Sequence, residues 1–158
     1  MSISTADLSD ELQDRVRIAV PGFRCFGSRT SFSGIISTVK CFEDNSLVRS
    51  ALQEPADGRV LVVDGGASMN CALLGDILAG MAADNGWPGI IVNGCIRDSA
   101  VIASIDIGVR ALDTHPRKSV KLGAGERDVA LHFAGIDFVP GDTVYVDEDG
   151  ILVTGQSV

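Results

Sequence analysis

The sequence lacks the features that mark several large classes of protein. It contains no apolar run long enough to cross a membrane and no apolar signal segment near its N-terminus, so we expect neither a membrane span nor export. Its four cysteines, Cys25, Cys41, Cys71 and Cys95, form no C-x-x-C pair, which favours free, mostly buried thiols in a reducing cytoplasm. Linkers and repeats are also absent, which predicts one domain over residues 1–158.

Positive charge is scarce as well. The net charge is −8 and the basic residues form no cluster, so direct binding to nucleic acid is not expected, whereas a basic protein segment could dock. The two histidines, His115 and His132, stand apart and predict no shared metal site. No G-x-x-x-x-G-K-[ST] motif is present, and no G-x-G-x-G loop follows the first strand, which argues against a phosphate loop and a methyltransferase.

The middle of the chain predicts a βαβ unit. Short apolar runs ending in Gly- or Asn-rich turns are typical of buried parallel strands, and a Gly–Asp pair before an apolar segment is typical of a helix start. Gly86 should end that helix. The expected elements are a strand over Val60–Val63, a helix after Gly75–Asp76, a strand over Gly89–Val92 ended by Asn93–Gly94, and a short helix from Arg97–Asp98 to Ile102.

The flanking segments predict further layers. We expect a helix over Thr5–Val16, a strand over Phe32–Cys41 with Ile35, Ile36 and Val39 inside, a helix over Asn45–Leu52 and a strand over Gly108–Leu112. From Val129 onward, short apolar segments alternate with turns. A β-rich C-terminal layer beside a βαβ core predicts an α/β domain with β/β/α layers.

One spaced motif, D-x20-R-D, carries the chemistry. Asp76 and the Arg97–Asp98 pair fall near the carboxyl ends of neighbouring strands, where ligands bind in such units. The first-turn N–H groups of Asp76, Ile77 and Leu78 would receive an anion, Arg97 would hold a carboxylate, and Asp98 would offer oxygen ligands to Mg²⁺ or Mn²⁺. Together they suit a 2-oxo acid.

Each of these residues also has a purely structural interpretation. Asp76 can serve only as a helix cap. Arg97 and Asp98 can form a local ion pair, with Asp98 capping the helix that follows. The sequence alone leaves both interpretations open.

Several longer segments resemble a known family. The segments GSRTSFSGIISTVKCFEDNSLV, VVDGGAS, GDILA, GIIVNGCIRD, IDIGVRAL and FVPGDTVYVDEDGIL are similar to the regulator of ribonuclease activity A family, over Arg24–Val153. The resemblance implies a swivelling β/β/α domain, a fold shared with class II pyruvate aldolases that act on 4-hydroxy-4-methyl-2-oxoglutarate. In those aldolases the D-x20-R-D motif marks the active site.

The resemblance also implies roles for individual residues. Gly75, Asp76, Ile77 and Leu78 would form the pyruvate-binding turn, Arg97 would contact the substrate carboxylate, and Asp98 would carry the divalent metal. Asp76 and Arg97 would be the catalytic residues, and we expect a water held by Asp76 to act as the base in aldol cleavage. The larger aldolases have a C-terminal extension that gives an acid to a neighbouring subunit's site; this sequence ends at Val158, so we expect weaker aldol cleavage.

Two function classes follow from the resemblance. The first is a metal-dependent aldolase that also decarboxylates oxaloacetate through a common pyruvate enolate. The second is a protein-binding inhibitor of a ribonuclease E-type endoribonuclease, for which the net charge of −8 suits a basic partner segment. The resemblance further implies a homotrimer, or two trimers paired into a hexamer, with clefts between subunits.

Overall fold

The computed structural model describes residues 4–156. A short 3₁₀ turn over Gln13–Arg15 follows the first helix. The helices are α1 (Thr5–Leu12), α2 (Ser46–Leu52), α3 (Asp76–Asp84) and α4 (Ser99–Ile102). The strands are β1 (Val16–Ile18), β2 (Arg24–Cys25), β3 (Phe32–Lys40), β4 (Arg59–Asp64), β5 (Ala72–Leu74), β6 (Gly89–Ile96), β7 (Gly108–Thr114), β8 (Glu126–Arg127), β9 (Leu131–Phe133), β10 (Ile136–Phe138), β11 (Thr143–Asp147) and β12 (Gly150–Thr154).

A parallel core, β3-β4-β6-β7, forms the centre of a ten-stranded sheet. The central strands β4 and β6 carry continuous apolar runs, as expected for strands buried on both faces, with helices on one side and further strands on the other. β5 pairs in parallel with β6, and β11, β12 and β1 extend the sheet in antiparallel fashion beyond β3. β9 and β10 form a separate hairpin.

The two faces of the sheet bury different layers. On one face, Leu52 of α2, Leu78 of α3 and Ile102 of α4 pack in a cluster with strand residues such as Leu61 and Ile90. The other face packs against the C-terminal strands, in a second cluster of Phe32, Ile36, Val60, Val62, Ile91, Leu131, Phe133, Phe138, Val144, Val146 and Val153, among others. The predicted β/β/α layering is therefore confirmed.

Close packing in the second cluster depends on two glycines. A Cβ at Gly89 or at Gly108 would lie 2.1 Å from the ring of Phe32, well inside van der Waals contact. The flat ring therefore lies directly on the backbone of β6 and β7. This arrangement fixes where β3 sits relative to the far half of the sheet.

The structure differs from the prediction in two elements, in one core residue and in one strand that was not predicted. The helix predicted over Thr5–Val16 is wrong beyond Leu12: the left-handed conformation of Gln13, with φ 52°, ends it, and Val16 begins β1. Ile35, predicted to be inside, is instead 47% exposed and belongs to neither apolar cluster. The strand predicted to end at Asn93–Gly94 instead continues to Ile96, with only a shift in its register to β7 there. β5 was not predicted.

The cysteine prediction is confirmed for the residues that the structure describes. Cys41, Cys71 and Cys95 are buried free thiols, whereas Cys25 is exposed. Within residues 4–156, no helix is long and apolar enough to cross a membrane.

Candidate active site

A solvent-open cleft of about 430 Å³ lies where β5 and β6 end and α3 and α4 begin. All six residues proposed from the sequence line it: Gly75, Asp76, Ile77, Leu78, Arg97 and Asp98. The strand–turn–helix units bring these residues together because parallel neighbours end at the same edge of the sheet.

Asp98 adopts a left-handed backbone conformation, with φ 58° and ψ 38°. Its side chain does not cap its own helix, α4; Oδ2 instead accepts a hydrogen bond from the Asp76 N–H at 3.1 Å. Arg97 and Asp98 form no ion pair within 4.0 Å in the described part of the chain. The structural interpretation of this pair as a local ion pair and cap of α4 is therefore wrong. Asp98 joins the two helix starts instead.

Gly75 permits this close approach. A Cβ at this position would lie 2.9 Å from Asp98 Oδ2 and 3.5 Å from Cγ and Nε of Arg97. Any side chain at Gly75 would therefore displace the Asp98 carboxylate, whereas it would only touch Arg97 at ordinary van der Waals distance. Glycine is needed here because it has no side chain, and not because of its backbone conformation, since a φ of −127° is open to any residue.

The predicted anion receptor is smaller than expected. Asp98 already occupies the Asp76 N–H, so the prediction of three open amides is wrong for Asp76. The Asp76 side chain does not cap α3 either, since α3 has no side-chain cap hydrogen bond. The N–H groups of Ile77 and Leu78 are the remaining first-turn donors, because helix geometry gives them no intrahelical acceptor. Two amides and the positive end of α3 thus face the cleft.

Five further polar residues line the cleft and were missed from the sequence. They are Asn45, Arg49, Lys118, Ser119 and Lys121. With Arg97 they bring four basic side chains to a cleft that contains two carboxylates, Asp76 and Asp98. The cleft is therefore locally positive in a chain of net charge −8, which favours an anionic ligand.

Asn45 contributes an unpaired acceptor. Its backbone N–H donates to Ser119 Oγ at 3.2 Å, and its Nδ2 donates to the carbonyl oxygen of Leu73 at 3.2 Å. Its Oδ1 is buried and has no hydrogen-bond partner among the described residues. A buried acceptor without a donor is costly, so a donor supplied by a ligand or by an ordered water would stabilise this wall of the cleft.

Asp44 holds the loop that carries the missed residues. Its carboxylate accepts hydrogen bonds from the backbone N–H groups of Leu122 at 2.8 Å and Ala124 at 3.2 Å, and from Ser46 at 2.6 and 2.9 Å. Burial acts to raise the pKa of Asp44, but these hydrogen bonds outweigh it and lower the pKa to about 2. Lys118, Ser119 and Lys121 thereby reach the cleft.

We expect Asp44→Asn to lower the free energy of unfolding near neutral pH by about 2 kcal/mol, because the charged acceptor of several hydrogen bonds is lost. The folded pKa lies below the ordinary value of 3.8, so the carboxylate stabilises the fold fully above that value and progressively less as pH falls towards 2. Urea unfolding at neutral and acid pH should show the gap between wild type and variant shrinking. The exposed Asp84→Asn is the control, and a gap independent of pH would contradict the account.

The residues present suit a hydrated cation with few protein ligands. No group of three or more His, Cys, Asp or Glu side chains could hold a metal within residues 4–156. Mg²⁺, however, commonly keeps several waters and binds through one or two carboxylates together with its substrate. Asp98 supplies such a carboxylate, and Asn45 Oδ1 offers an acceptor for a coordinated water. The histidines are engaged elsewhere: His115 Nδ1 accepts from Arg117 N–H, and His132 pairs with Asp137.

Known proteins that are similar to this chain belong to one family. The RraA-like family model, described as Aldolase/RraA, matches residues 5–153. A protein of Alkalilimnicola ehrlichii with the provisional name 4-hydroxy-4-methyl-2-oxoglutarate aldolase is 59% identical over 158 residues, which are 100% of this chain and 98% of that protein. A protein of Laribacter hongkongensis with the same provisional name is 56% identical over 154 residues, 98% of this chain and 97% of that protein.

Solved structures agree with the fold. The RNA-processing inhibitor RraA from Thermus is 44% identical, with a TM-score of 0.94 over 98% of this chain and 93% of that chain. A structure described as an S-adenosylmethionine: 2-dimethylmenaquinone methyltransferase from Geobacillus kaustophilus is 49% identical, with a TM-score of 0.95 over 97% of this chain and 95% of that chain. The chain therefore belongs to the RraA-like family, as its sequence motifs predicted.

Proposed function

We propose that this protein is a divalent-metal-dependent aldolase that cleaves 4-hydroxy-4-methyl-2-oxoglutarate to pyruvate and decarboxylates oxaloacetate through the same pyruvate enolate. One observation carries the proposal: a single cleft joins Arg97, the carboxylate of Asp98 and the open first-turn amides of α3. These are the groups that a 2-oxo acid requires. The provisional aldolase names of the relatives support the same reaction.

The substrate is expected to bind through its carboxylate. Arg97 can hold a carboxylate with two parallel hydrogen bonds, and the N–H groups of Ile77 and Leu78 can donate to an anion at the helix start. Gly75 leaves room for the Asp98 carboxylate beside Arg97, so both groups lie on the same wall as these amides. Arg97 then also places positive charge beside the carbon atoms that become the enolate.

Asp98 is the residue that would hold the cation, Mg²⁺ or Mn²⁺, and the unpaired Oδ1 of Asn45 in the same cleft could accept a hydrogen bond from a water there. A divalent cation supplies positive charge that stabilises an oxygen as negative charge develops on it. The hydrogen bond from the Asp76 N–H fixes Oδ2 of Asp98, so the carboxylate is held in place before substrate arrives.

Aldol cleavage needs a base and decarboxylation does not. In 4-hydroxy-4-methyl-2-oxoglutarate, loss of the 4-hydroxyl proton makes that oxygen the carbonyl of one pyruvate, while the C3–C4 bond breaks and its electron pair forms the enolate of a second. No histidine lines the cleft among the described residues, so a water held by the carboxylate of Asp76 is the proposed base. Oxaloacetate loses CO₂ to the same enolate with no hydroxyl proton to remove.

The test is a pyruvate-release assay on both substrates, with Mg²⁺ and with EDTA. Protein-free samples containing Mg²⁺ are the blank, because free Mg²⁺ itself promotes decarboxylation of oxaloacetate. We expect release from both substrates that EDTA stops and Mg²⁺ restores. Release that EDTA leaves unchanged, or no release above the blank from either substrate, would overturn the proposal.

A second candidate is regulation of a ribonuclease E-type endoribonuclease. It is favoured by the similarity to the RNA-processing inhibitor RraA from Thermus and by the net charge of −8, which suits a basic partner segment. The two functions separate cleanly in one variant. Inhibition of the ribonuclease that survives Asp98→Ala supports a surface-binding regulator, whereas inhibition lost with the catalytic activity would contradict it.

We expect the protein to assemble as a homotrimer, or as two trimers paired into a hexamer, with clefts between adjacent subunits. Exposed apolar side chains lie along the cleft side of the sheet, including Phe42 at 65% and Leu122 at 83% exposure, and a neighbouring subunit would cover them. Sedimentation velocity at micromolar protein measures the mass. A monomer with full activity would contradict both the assembly and the shared cleft.

A further inference from the structure

A second cleft lies beside β1 and the turn between β11 and β12. It is bounded by the segment Ile18–Phe23, by the turn Asp147–Gly150 between β11 and β12, and by Arg110 of β7. It encloses about 750 Å³ including its open mouth and shares no lining residue with the candidate active site. Whatever binds here is therefore separate from the chemistry proposed above.

Arg110 is the unusual feature of this cleft. Arg110 is only 5% exposed, yet its guanidinium forms no ion pair with any described carboxylate. Nη2 donates to the backbone carbonyl oxygens of Thr30 and Asp147, and the guanidinium lies 5.8 Å from the centre of the Phe32 ring. Nη1 is buried without an acceptor among the described residues.

A buried cation of this kind calls for a counter-charge. Carbonyl oxygens and an aromatic ring solvate a guanidinium partly, but they do not neutralise it, and an unused buried donor adds to the cost. The nearby Asp147 carboxylate forms no ion pair with Arg110; its oxygens accept instead from Thr5 N–H and Oγ1 and from Asp149 N–H, so Nη1 keeps no acceptor. A ligand carboxylate would supply both the acceptor and the charge.

The mouth of the cleft is negatively charged. Glu148 and Asp149 line it and are exposed, and their position disfavours a ligand that carries only negative charge. An ammonium group on the same ligand would offset that repulsion. The remaining wall is apolar: Ile18 and Val20, which are 51% and 58% exposed, lie there with the side chain of Ile151.

We propose that this cleft binds a small zwitterion, an α-amino acid with an apolar side chain. Its carboxylate pairs with Arg110, its ammonium group with Glu148 or Asp149, and its side chain covers Ile18 and Val20. The cleft has a buried guanidinium at its base and exposed carboxylates at its mouth. This arrangement fits one molecule that carries a carboxylate and an ammonium group on the same carbon atom. Binding would bury apolar surface that is otherwise in water.

Isothermal titration calorimetry with three matched probes tests this site. The probes are L-leucine, 4-methylpentanoate, which lacks the ammonium group, and 3-methylbutylamine, which lacks the carboxylate. We expect leucine to bind saturably and each truncated probe to bind at least about tenfold more weakly. No saturable binding of leucine up to ~10 mM, or equal binding of either truncated probe, would overturn the proposal.

Variants locate the binding site. Glu148→Gln combined with Asp149→Asn changes only exposed side chains, so it should fold normally and weaken leucine binding about tenfold or more. Arg110→Gln should remove binding, provided that its circular dichroism matches wild type. Asp98→Ala in the other cleft should leave leucine binding unchanged, which separates this inference from the proposed function. Leucine binding that is unaffected by the exposed double variant would contradict it.

Discussion

Asp98→Ala is expected to lower kcat/KM for metal-dependent pyruvate release by about 10³-fold or more, equivalent to about 4 kcal/mol of transition-state stabilisation. Asp98 is the cleft carboxylate that connects the starts of α3 and α4, and its loss removes the proposed ligand of the cation. Steady-state kinetics at several Mg²⁺ concentrations measure the effect. Circular dichroism and the melting temperature should remain close to those of wild type.

Two companion variants sharpen this result. Asp98→Asn keeps an oxygen that can accept from the Asp76 N–H but removes the charge, so it should be nearly as inactive as Asp98→Ala if the metal is what matters. Asp84→Ala, an exposed acid at the far end of α3, should keep full activity. Activity of Asp98→Ala within a few-fold of wild type at saturating Mg²⁺ would remove Asp98 from the proposed metal site.

The second large effect is expected for Arg97→Lys. Lysine replaces a planar, two-pronged donor with a point charge, so the KM for oxaloacetate should rise markedly and kcat/KM should fall about 10- to 100-fold. Arg97 lines the cleft beside Gly75, and a lysine there cannot make the two parallel hydrogen bonds of a guanidinium. Initial-rate kinetics with oxaloacetate separate KM from kcat.

A matched surface change controls for the loss of an arginine. Arg24 lies on the edge strand β2, where it pairs with Asp113 of β7, and it does not line the cleft. Arg24→Lys should therefore leave both constants unchanged. An unchanged KM in Arg97→Lys would show that Arg97 does not hold the substrate carboxylate. The α3 amides would then be the main carboxylate contact.

The centre of the fold could be predicted because its signals are local. The runs at Val60–Val63 and Gly89–Val92 are buried strands, and Gly86, with φ 84°, follows the end of α3 as expected. Since parallel strands end at one edge, the positions of Gly75–Asp76 and Arg97–Asp98 in the sequence were enough to bring them to one cleft.

The other half of the cleft could not be predicted because it depends on long-range contacts. Lys118, Ser119 and Lys121 reach it through hydrogen bonds from their loop to Asp44, which is more than 70 residues away in sequence. Asn45 looked like the start of a helix, which it is; its unpaired Oδ1 becomes visible only when Leu73 and Ser119 are in place.

The side chain of Asp98 shows the same limit in a local setting. Its place before Ser99 suggested a cap for α4, but a left-handed backbone turns it towards α3 instead. The carboxylate fits there because Gly75 has no Cβ, which no pattern around Asp98 reveals. The residue types of the site could be predicted from sequence, whereas the contact that holds them together could not.

The most direct measurement of the central claim is exchange of the methyl protons of pyruvate in D₂O, followed by proton NMR. Exchange requires a base to remove a methyl proton and so forms the enolate, but it breaks no C–C bond, so it tests enolate formation at Arg97, Asp98 and the α3 amides separately from aldol cleavage and decarboxylation. We expect exchange with Mg²⁺, none above the protein-free rate after EDTA, and none in Asp98→Ala. Exchange that persists in EDTA, or that is absent with Mg²⁺ bound, would contradict the account.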